Sequence, residues 1–378
     1  MAGTEPTSAE LQARGKVVFG LCGLSDPSLV SCGKFFPSKS LDFKEKLQYY
    51  SKHFGCIEID SSSYAIPSKE SIQSWLNSTT KEFKFHFKIL SIFCGMSLDY
   101  RCLPIKIKES LPDNGKKVTF NSLSEELQDQ LWSIFNESVR EVHAQNKLGA
   151  IIFQFQLSYY PTEKNKRYVE YCRRKLDSKY NMAVEFRDRS WLSANELGNT
   201  KEWCTTNKLC LISADDLEHE VLQGDKSTLG CDNPVQLPII LTDCGTSYVY
   251  IRLHRRQGSN RLLSNKEVSL WNERLIEFST INRNILIYFL IGTGILLFRF
   301  SFLFCHSTHI LCYIDVDDQP IINRQILYDA LDEKLKLNWN KVFGSNNYKQ
   351  LSLTNFLKRK VDIESNNSGK GDLKISRR

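Results

Sequence analysis

Eight short segments rich in β-branched and aromatic residues recur along the chain, and most are followed by a stretch with helical spacing. Strands that alternate with helices predict βαβ units and a parallel sheet. Eight such units predict a single α/β domain with a (β/α)8 TIM-type barrel. The predicted strands are residues 16–21, 56–60, 83–88, 149–155, 182–186, 209–214, 247–253 and 284–291.

The clearest helix is predicted from about residue 124 to residue 145, with Ser124 as its N-cap. Its apolar residues share one face at helical spacing. Residues 91–123 lack any periodicity and are predicted to form a long loop over the mouth of the barrel. The apolar face of the helix consists of Leu127, Leu131, Ile134, Phe135, Val139 and Val142.

The length and composition fit one large soluble domain. The 378 residues are 41% hydrophobic and 25% charged, and neither a linker nor an internal repeat divides them. We therefore expect a barrel domain over residues 16–345, a disordered N-terminus over 1–15 and a basic, disordered tail over 356–378. The formal net charge of +7 comes partly from this tail, which is typical of a solvated chain end.

The twelve cysteines include no CxxC pair, and residues 1–15 lack the apolar region of a secretory signal. We therefore expect reduced cysteines, mostly in the core of a cytoplasmic protein, with a nuclear location as the alternative. The usual dinucleotide, P-loop and serine hydrolase chemistries are disfavoured, because GxGxxG, the P-loop pattern, GxSxG and HExxH are absent.

Polar side chains stand at the C-terminal ends of six consecutive predicted strands. Alternate residues of a strand share a face, and the active sites of such barrels lie at these strand ends. The alternative is that some of these groups form buried ion pairs that fill the barrel, for example Glu185 with Arg187 or Arg252. Burying the whole set without a function would be costly. The set comprises Glu58, Asp60, His86, Lys88, Gln154, Gln156, Glu185, Arg187, Asp215, Arg252 and His254.

Two kinds of ligand fit these residue types. Arg252 and His254, with Arg255 and Arg256, lie at the end of the strand whose following loop commonly binds phosphate in this fold, although Arg255 and Arg256 could equally be surface charges. Four groups could together bind a divalent metal, but the sequence does not fix the distances between them, and no cofactor is specified. The metal candidates are Glu58, Glu185, Asp215 and His254.

Several ordered segments carry the pattern of a known family: 20–23, 57–64 with Pro67, 83–88, 183–187 with Ser190 and Trp191, 214–215 and 252–254. They resemble the YecE-like family, a catalogued domain of unknown function, number seventy-two. The resemblance covers about residues 17–331 and implies a barrel. The Arg255-Arg256 pair resembles a eukaryotic branch, while residues 154–159 depart from the common bacterial pattern. The resemblance implies a role at the mouth for Glu58, Glu185, Arg187, Asp215, Arg252 and His254.

An apolar run interrupts the family pattern. Residues 288–293 and 315–323 resemble two halves of one family segment, so residues 294–314 are an anomalous apolar insertion. We interpret them as the translation of a retained or unrecognised intron. The alternatives are a genuine insertion helix or a membrane anchor, and the anchor is disfavoured because it would sacrifice a barrel strand.

The leading hypothesis is an enzyme of the hydrolase or isomerase type that acts at the mouth on a phosphorylated or otherwise anionic small molecule or nucleic-acid fragment. Glu58 or Glu185 would be the general base, and His254 a proton donor or metal ligand. The alternatives are a non-catalytic barrel that binds an anion or nucleic acid, and a non-functional product of a mis-spliced gene; no membrane partner is expected. The predicted substrate-binding residues are Asp60, Lys88, Gln154, Arg187, Asp215 and Arg252.

Overall fold

The computed structural model describes residues 16–24, 35–112, 117–214, 241–253 and 286–292, and all of them belong to one compact unit. The predictions for residues 1–15, 294–314 and 356–378 lie outside these ranges. No helix in the described ranges is long and apolar enough to cross a membrane.

The fold is mixed α/β with a central parallel sheet. The described strands are β1 (Lys16–Cys22), β2 (Cys56–Ile59), β3 (Lys84–Lys88), β4 (Leu98–Asp99), β5 (Lys117–Val118), β6 (Leu148–Phe155), β7 (Met182–Phe186), β8 (Leu209–Leu211), β9 (Ser213–Ala214), β10 (Tyr248–Leu253) and β11 (Leu286–Gly292). The sheet has the order β8-β7-β6-β3-β2-β1-β11-β10-β9, and its ladders are parallel.

All eight predicted strands are found at nearly the predicted positions. The one predicted over residues 209–214 is divided into β8 and β9, which only Ile212 separates. These two segments stand at opposite ends of the strand order, although they are consecutive in the chain.

The described helices are α1 (Phe43–Tyr50), α2 (Lys69–Asn77), α3 (Ile105–Lys108), α4 (Glu125–Ser138), α5 (Arg140–Ala144), α6 (Glu163–Lys175) and α7 (Leu197–Thr206). Ser124 caps α4 as predicted, because its Oγ accepts a hydrogen bond from Leu127 N–H at 3.3 Å.

The prediction of one continuous helix over residues 124–145 is wrong. Val139, with φ −97° and ψ 0°, leaves the helical conformation and separates α4 from α5. Val139 and Val142 are both buried in the core. The apolar face therefore stays packed across the break, although the helix is not continuous.

The prediction of a long loop over residues 91–123 is only partly right. This connection contains the antiparallel pair β4–β5 and the short helix α3, and it buries apolar side chains such as Phe93 and Ile107. Elements of two to four residues are too short to show a period in the sequence.

Apolar side chains pack on both faces of the parallel sheet. The larger cluster joins the helices to one face, which we call the helix face. A smaller cluster covers the other face, which we call the site face because its strands end in the predicted polar residues. The site-face cluster contains Cys22, Cys56, Ala150, Ile152, Ala183, Cys210, Ile212, Tyr248 and Tyr250.

Gly149 at the start of β6 makes room for a buried imidazole on the site face. A Cβ at Gly149 would lie 2.3 Å from His86 Cε1, closer than any real contact. The His86 Nδ1 accepts a hydrogen bond from Ala150 N–H at 3.1 Å. Burial lowers the pKa of His86 to about 3, helped by Lys84, so this ring is neutral at physiological pH.

Candidate functional site

The predicted site residues stand at equivalent positions near the C-terminal ends of several strands. Glu58, Gln154, Glu185 and Arg252 are the penultimate residues of β2, β6, β7 and β10. In each of these strands, the residue two positions further along the chain can share the same face and lies just past the strand end. Because parallel strands end at one edge of the sheet, these positions converge.

Arg252 lies at the centre of this convergence, between two glutamates. Its Nη2 is 2.9 Å from Glu58 Oε1, and its Nη1 is 2.5 Å from Glu185 Oε2. All three side chains are at most 2% exposed. Both carboxylates raise the pKa of Arg252 well above its ordinary value, although burial acts in the opposite direction. The guanidinium therefore stays charged.

Glu185 has two further contacts, both at its other oxygen, Oε1. Gln154 Nε2 donates to Glu185 Oε1 at 2.8 Å, and Arg187 Nε lies 2.6 Å from the same oxygen. The buried ion pairs of Glu185 with Arg187 and Arg252, which the sequence offered as an alternative, are therefore present. Both oxygens of Glu185 are engaged by cations.

Asp60 and Lys88 form a second, more exposed layer. Lys88 Nζ lies 3.4 Å from Asp60 Oδ1 and donates to Gln154 Oε1 at 3.3 Å. The Asp60 and Lys88 side chains are 39% and 18% exposed. Gln154 links the two layers, because its amide nitrogen contacts Glu185 and its oxygen contacts Lys88.

The Glu58 and Asp60 carboxyl groups influence each other's pKa and so couple the buried layer to the exposed one. Burial raises the pKa of Glu58 to about 7, and the nearby Asp60 carboxylate adds to this, while Arg252 and Lys88 oppose it. Burial also acts to raise the pKa of Asp60, but Lys88, Arg252 and Glu58 together bring it below its ordinary value. Near neutral pH Glu58 is therefore partly protonated, while Asp60 is ionised.

The sequence analysis missed two residues that contact Glu58. Tyr250 OH donates to Glu58 Oε2 at 2.9 Å, and Cys22 Sγ lies 3.8 Å from the same oxygen and from Arg252 Nη2. Burial raises the pKa of Cys22 well above its ordinary value, so it is a thiol. The alternation of strand faces could have found Tyr250, which stands two positions before Arg252.

The metal hypothesis finds no support among the described residues. The Arg252 guanidinium lies between Glu58 and Glu185, where a shared cation would have to bind. No group of three or more His, Cys, Asp or Glu side chains in the described ranges could hold a metal ion. Asp215 and His254, the other two candidates, lie outside those ranges, as do Arg255 and Arg256.

Comparisons with known proteins agree with this fold. UPF0759 protein YunF of Bacillus subtilis (strain 168) is 26% identical over 244 residues, which are 64% of this chain and 70% of that protein. A solved structure of a DUF72 family protein from Enterococcus faecalis V583 superposes with a TM-score of 0.55 at 17% identity, covering 89% of this chain and all of that one. Another from Thermotoga maritima MSB8 has a TM-score of 0.50 at 18% identity, covering 74% and 92%.

The family match covers almost the whole parallel sheet. Residues 18–292 match the family described as "Protein of unknown function DUF72", and the match stops at Gly292, the last residue of β11. The YecE-like pattern identified in the sequence fits the same family. The chain therefore belongs to the DUF72 family.

Proposed function

We propose that the chain is an enzyme, of the hydrolase or isomerase type, that transfers protons to and from a small anionic substrate at the C-terminal ends of its parallel strands. The observation that carries this proposal is the pair of a buried Glu58 and a partly exposed Asp60, with the ammonium group of Lys88 3.4 Å from Asp60 Oδ1. Such a pair connects a protected proton to a group that solvent and substrate can reach.

We also propose that the sheet closes into a (β/α)8 barrel. The two ends of the strand order, β8 and β9, are separated in the chain by Ile212 alone. Ile212 N–H donates to Val184 O on one side, and Ser213 pairs with Ile251 on the other. A closed sheet would place the site face inside the barrel.

We further propose that the chain belongs to a eukaryotic branch of the family, because its Arg255-Arg256 pair resembles that branch.

In the proposed mechanism, Asp60 is the general base and Glu58 is its proton reservoir. Asp60 is ionised and accepts the proton from the substrate or from the attacking water. The pair then returns one proton to the product through Asp60, which leaves Glu58 protonated and Asp60 ionised as at the start. Glu185 has both oxygens bonded to cations, so its role changes from general base to that of a positioning residue for Arg252. His254 and Asp215 follow the neighbouring strands β10 and β9 directly and stay candidates for the proton donor and for substrate binding.

Lys88 is the cation best suited to bind the anion. Arg252 is held between two carboxylates, whereas the contacts of Lys88 are 3.3 and 3.4 Å long and its side chain is the more exposed. Lys88, Arg187 and Arg252 face Asp60, Glu58 and Glu185 in this network. When Glu58 carries a proton, the network has one positive charge in excess, which favours an anionic ligand.

A turnover screen tests this proposal. Small phosphorylated and carboxylated compounds are incubated with the protein and followed by phosphorus and proton NMR. We expect a substrate whose turnover is lost in Asp60→Asn and Lys88→Met. The rate should fall as the pH rises above about 7, where Glu58 loses its proton, and this fall should be absent from Glu58→Gln. The control is Glu202→Gln on the exposed face of α7, which should behave as the unsubstituted protein.

The second candidate is a protein that binds an anion or nucleic acid without turnover. The completely buried ion pairs of Arg252 favour it, because they can hold strand ends together without any chemistry. Binding of phosphate-bearing ligands that depends on Lys88, with no product in the screen, would establish this candidate and contradict the enzyme proposal.

A further inference from the structure

The exposed apolar side chains of the described residues are concentrated near the candidate site. Six large apolar residues of the described ranges are exposed: Phe43, Tyr64, Met96, Ile105, Leu157 and Tyr160. All of them except Phe43 lie on the connections that follow β2, β3 and β6. Single exposed apolar residues are normal, but their concentration at one edge indicates a binding surface.

These three strands are neighbours, so their connections leave the sheet at the same edge. The sheet order places β6, β3 and β2 side by side and parallel. The connections also contact each other, since Gln156 Nε2 lies 3.2 Å from Met96 Sδ, and Ser62 Oγ donates to Lys88 O at 2.6 Å. We call Tyr64, Met96, Leu157 and Tyr160 the apolar rim.

The apolar rim belongs to the same strand ends as the cation of the proposed site. Lys88 is the last residue of β3, Gln154 is the penultimate residue of β6, and Asp60 directly follows β2. Pockets for small ligands combine apolar or aromatic walls with a few polar groups that fix the orientation. Tyr64 and Tyr160, which are 66% and 53% exposed, offer ring faces that other rings can stack against.

We propose that the ligand of this site is a small anion that carries an aromatic ring, with the anionic group at Lys88 and the ring against the apolar rim. This inference rests on the proposed function, because it needs the anion to bind at Lys88. It adds the chemical class of the rest of the ligand, which the polar network alone does not specify.

Two phosphate monoesters that differ only in their apolar group test the inference. Phenyl phosphate and methyl phosphate are titrated into the full-length protein by calorimetry. We expect phenyl phosphate to bind about tenfold more tightly, as one added aromatic contact is worth about that factor. The double variant Tyr64→Ala/Tyr160→Ala should lose this preference and keep its affinity for methyl phosphate, whereas Lys88→Met should weaken both ligands.

Controls separate the rim from general effects of lost apolar surface. Phe43→Ala removes an exposed ring on α1 that contacts Trp75 and is not part of the apolar rim, and it should leave the preference intact. Leu157→Ser changes the rim without touching a tyrosine and should reduce the preference. The exposed positions predict unchanged melting temperatures for the rim variants, which thermal unfolding checks.

The outcomes distinguish this inference from the proposed function. Equal affinities for the two esters, or a preference that survives in the double variant, would overturn the aromatic-ligand inference and leave the anion site standing. Failure of both esters to bind would remove the anion site and the inference with it. Rim-dependent binding of a short single-stranded oligonucleotide, without a preference for phenyl phosphate, would replace the small ligand by nucleic acid.

Discussion

Replacing Glu58 by Gln should change how the stability of the protein depends on pH, and in the direction opposite to that of an ordinary ion pair. The folded protein raises the pKa of Glu58 from 4.5 to about 7. Between these values the folded state keeps a proton that the unfolded state has released. The stability that this group contributes is therefore fully present below pH 4.5 and is lost as the pH rises through 7.

The magnitude follows from the size of the shift. Each pH unit within this window lowers the free energy of unfolding by about 1.4 kcal/mol for one proton. Allowing for partial titration at both ends, the contribution of Glu58 falls by about 2.5 kcal/mol between pH 5 and pH 8. Gln has nearly the same shape and does not ionise, so this dependence should be absent from Glu58→Gln. Losses of stability that do not depend on pH, such as a weaker contact with Arg252, cancel when the difference between the two proteins at one pH is compared with the difference at another.

The assay is urea unfolding followed by tryptophan fluorescence at pH 5, 6, 7 and 8. We expect the stability of Glu58→Gln relative to the unsubstituted protein to rise by about 2.5 kcal/mol from pH 5 to pH 8. The control Glu202→Gln replaces a glutamate on the exposed side of α7 and should show no such trend. A flat difference, or one that favours the unsubstituted protein at high pH, would mean that Glu58 is ionised throughout, and our account of the Glu58–Asp60 pair would then be wrong.

Three further changes test the fold. Gly149→Ala should destabilise the protein by about 1–3 kcal/mol in urea unfolding, because the added methyl group would collide with His86. In the control Gly198→Ala on α7, the methyl group meets nothing within 4 Å, so this variant should be neutral or stabilising. Equal effects of the two substitutions would refute the steric argument. Lys147→Met should cost about 1–3 kcal/mol, because Lys147 Nζ donates to Leu76 O, Thr79 O and Thr79 Oγ1 at 2.8–3.0 Å; an unchanged urea midpoint would contradict this. Deleting residues 294–314 should raise the yield of monomeric protein in size-exclusion chromatography if they are intron-derived, and a loss of folded protein would show that they belong to the fold.

Local sequence patterns predicted the strands and the faces of their residues. The strand positions came from runs of β-branched and aromatic residues, and β11 was found even beside the apolar insertion. The alternation of faces placed Glu58, Glu185 and Arg252 on one side of the sheet, because a period of two residues is a property of the strand itself. The same pattern failed for β4 and β5, which are two residues long, and at Val139, where packing interrupts a helix that the sequence would continue.

The sequence determined which polar residues could meet, and the tertiary structure decided which of them are bonded and where the protons are. Arg252 is 194 positions from Glu58 and 67 from Glu185, and no local signal sets the distance between such residues. The raised pKa of Glu58 comes from burial and from the charges around it, both of which exist only after the strands have assembled. The ion pairs of Glu185 have the same origin, since only the assembled sheet brings Arg187 and Arg252 to its two oxygens.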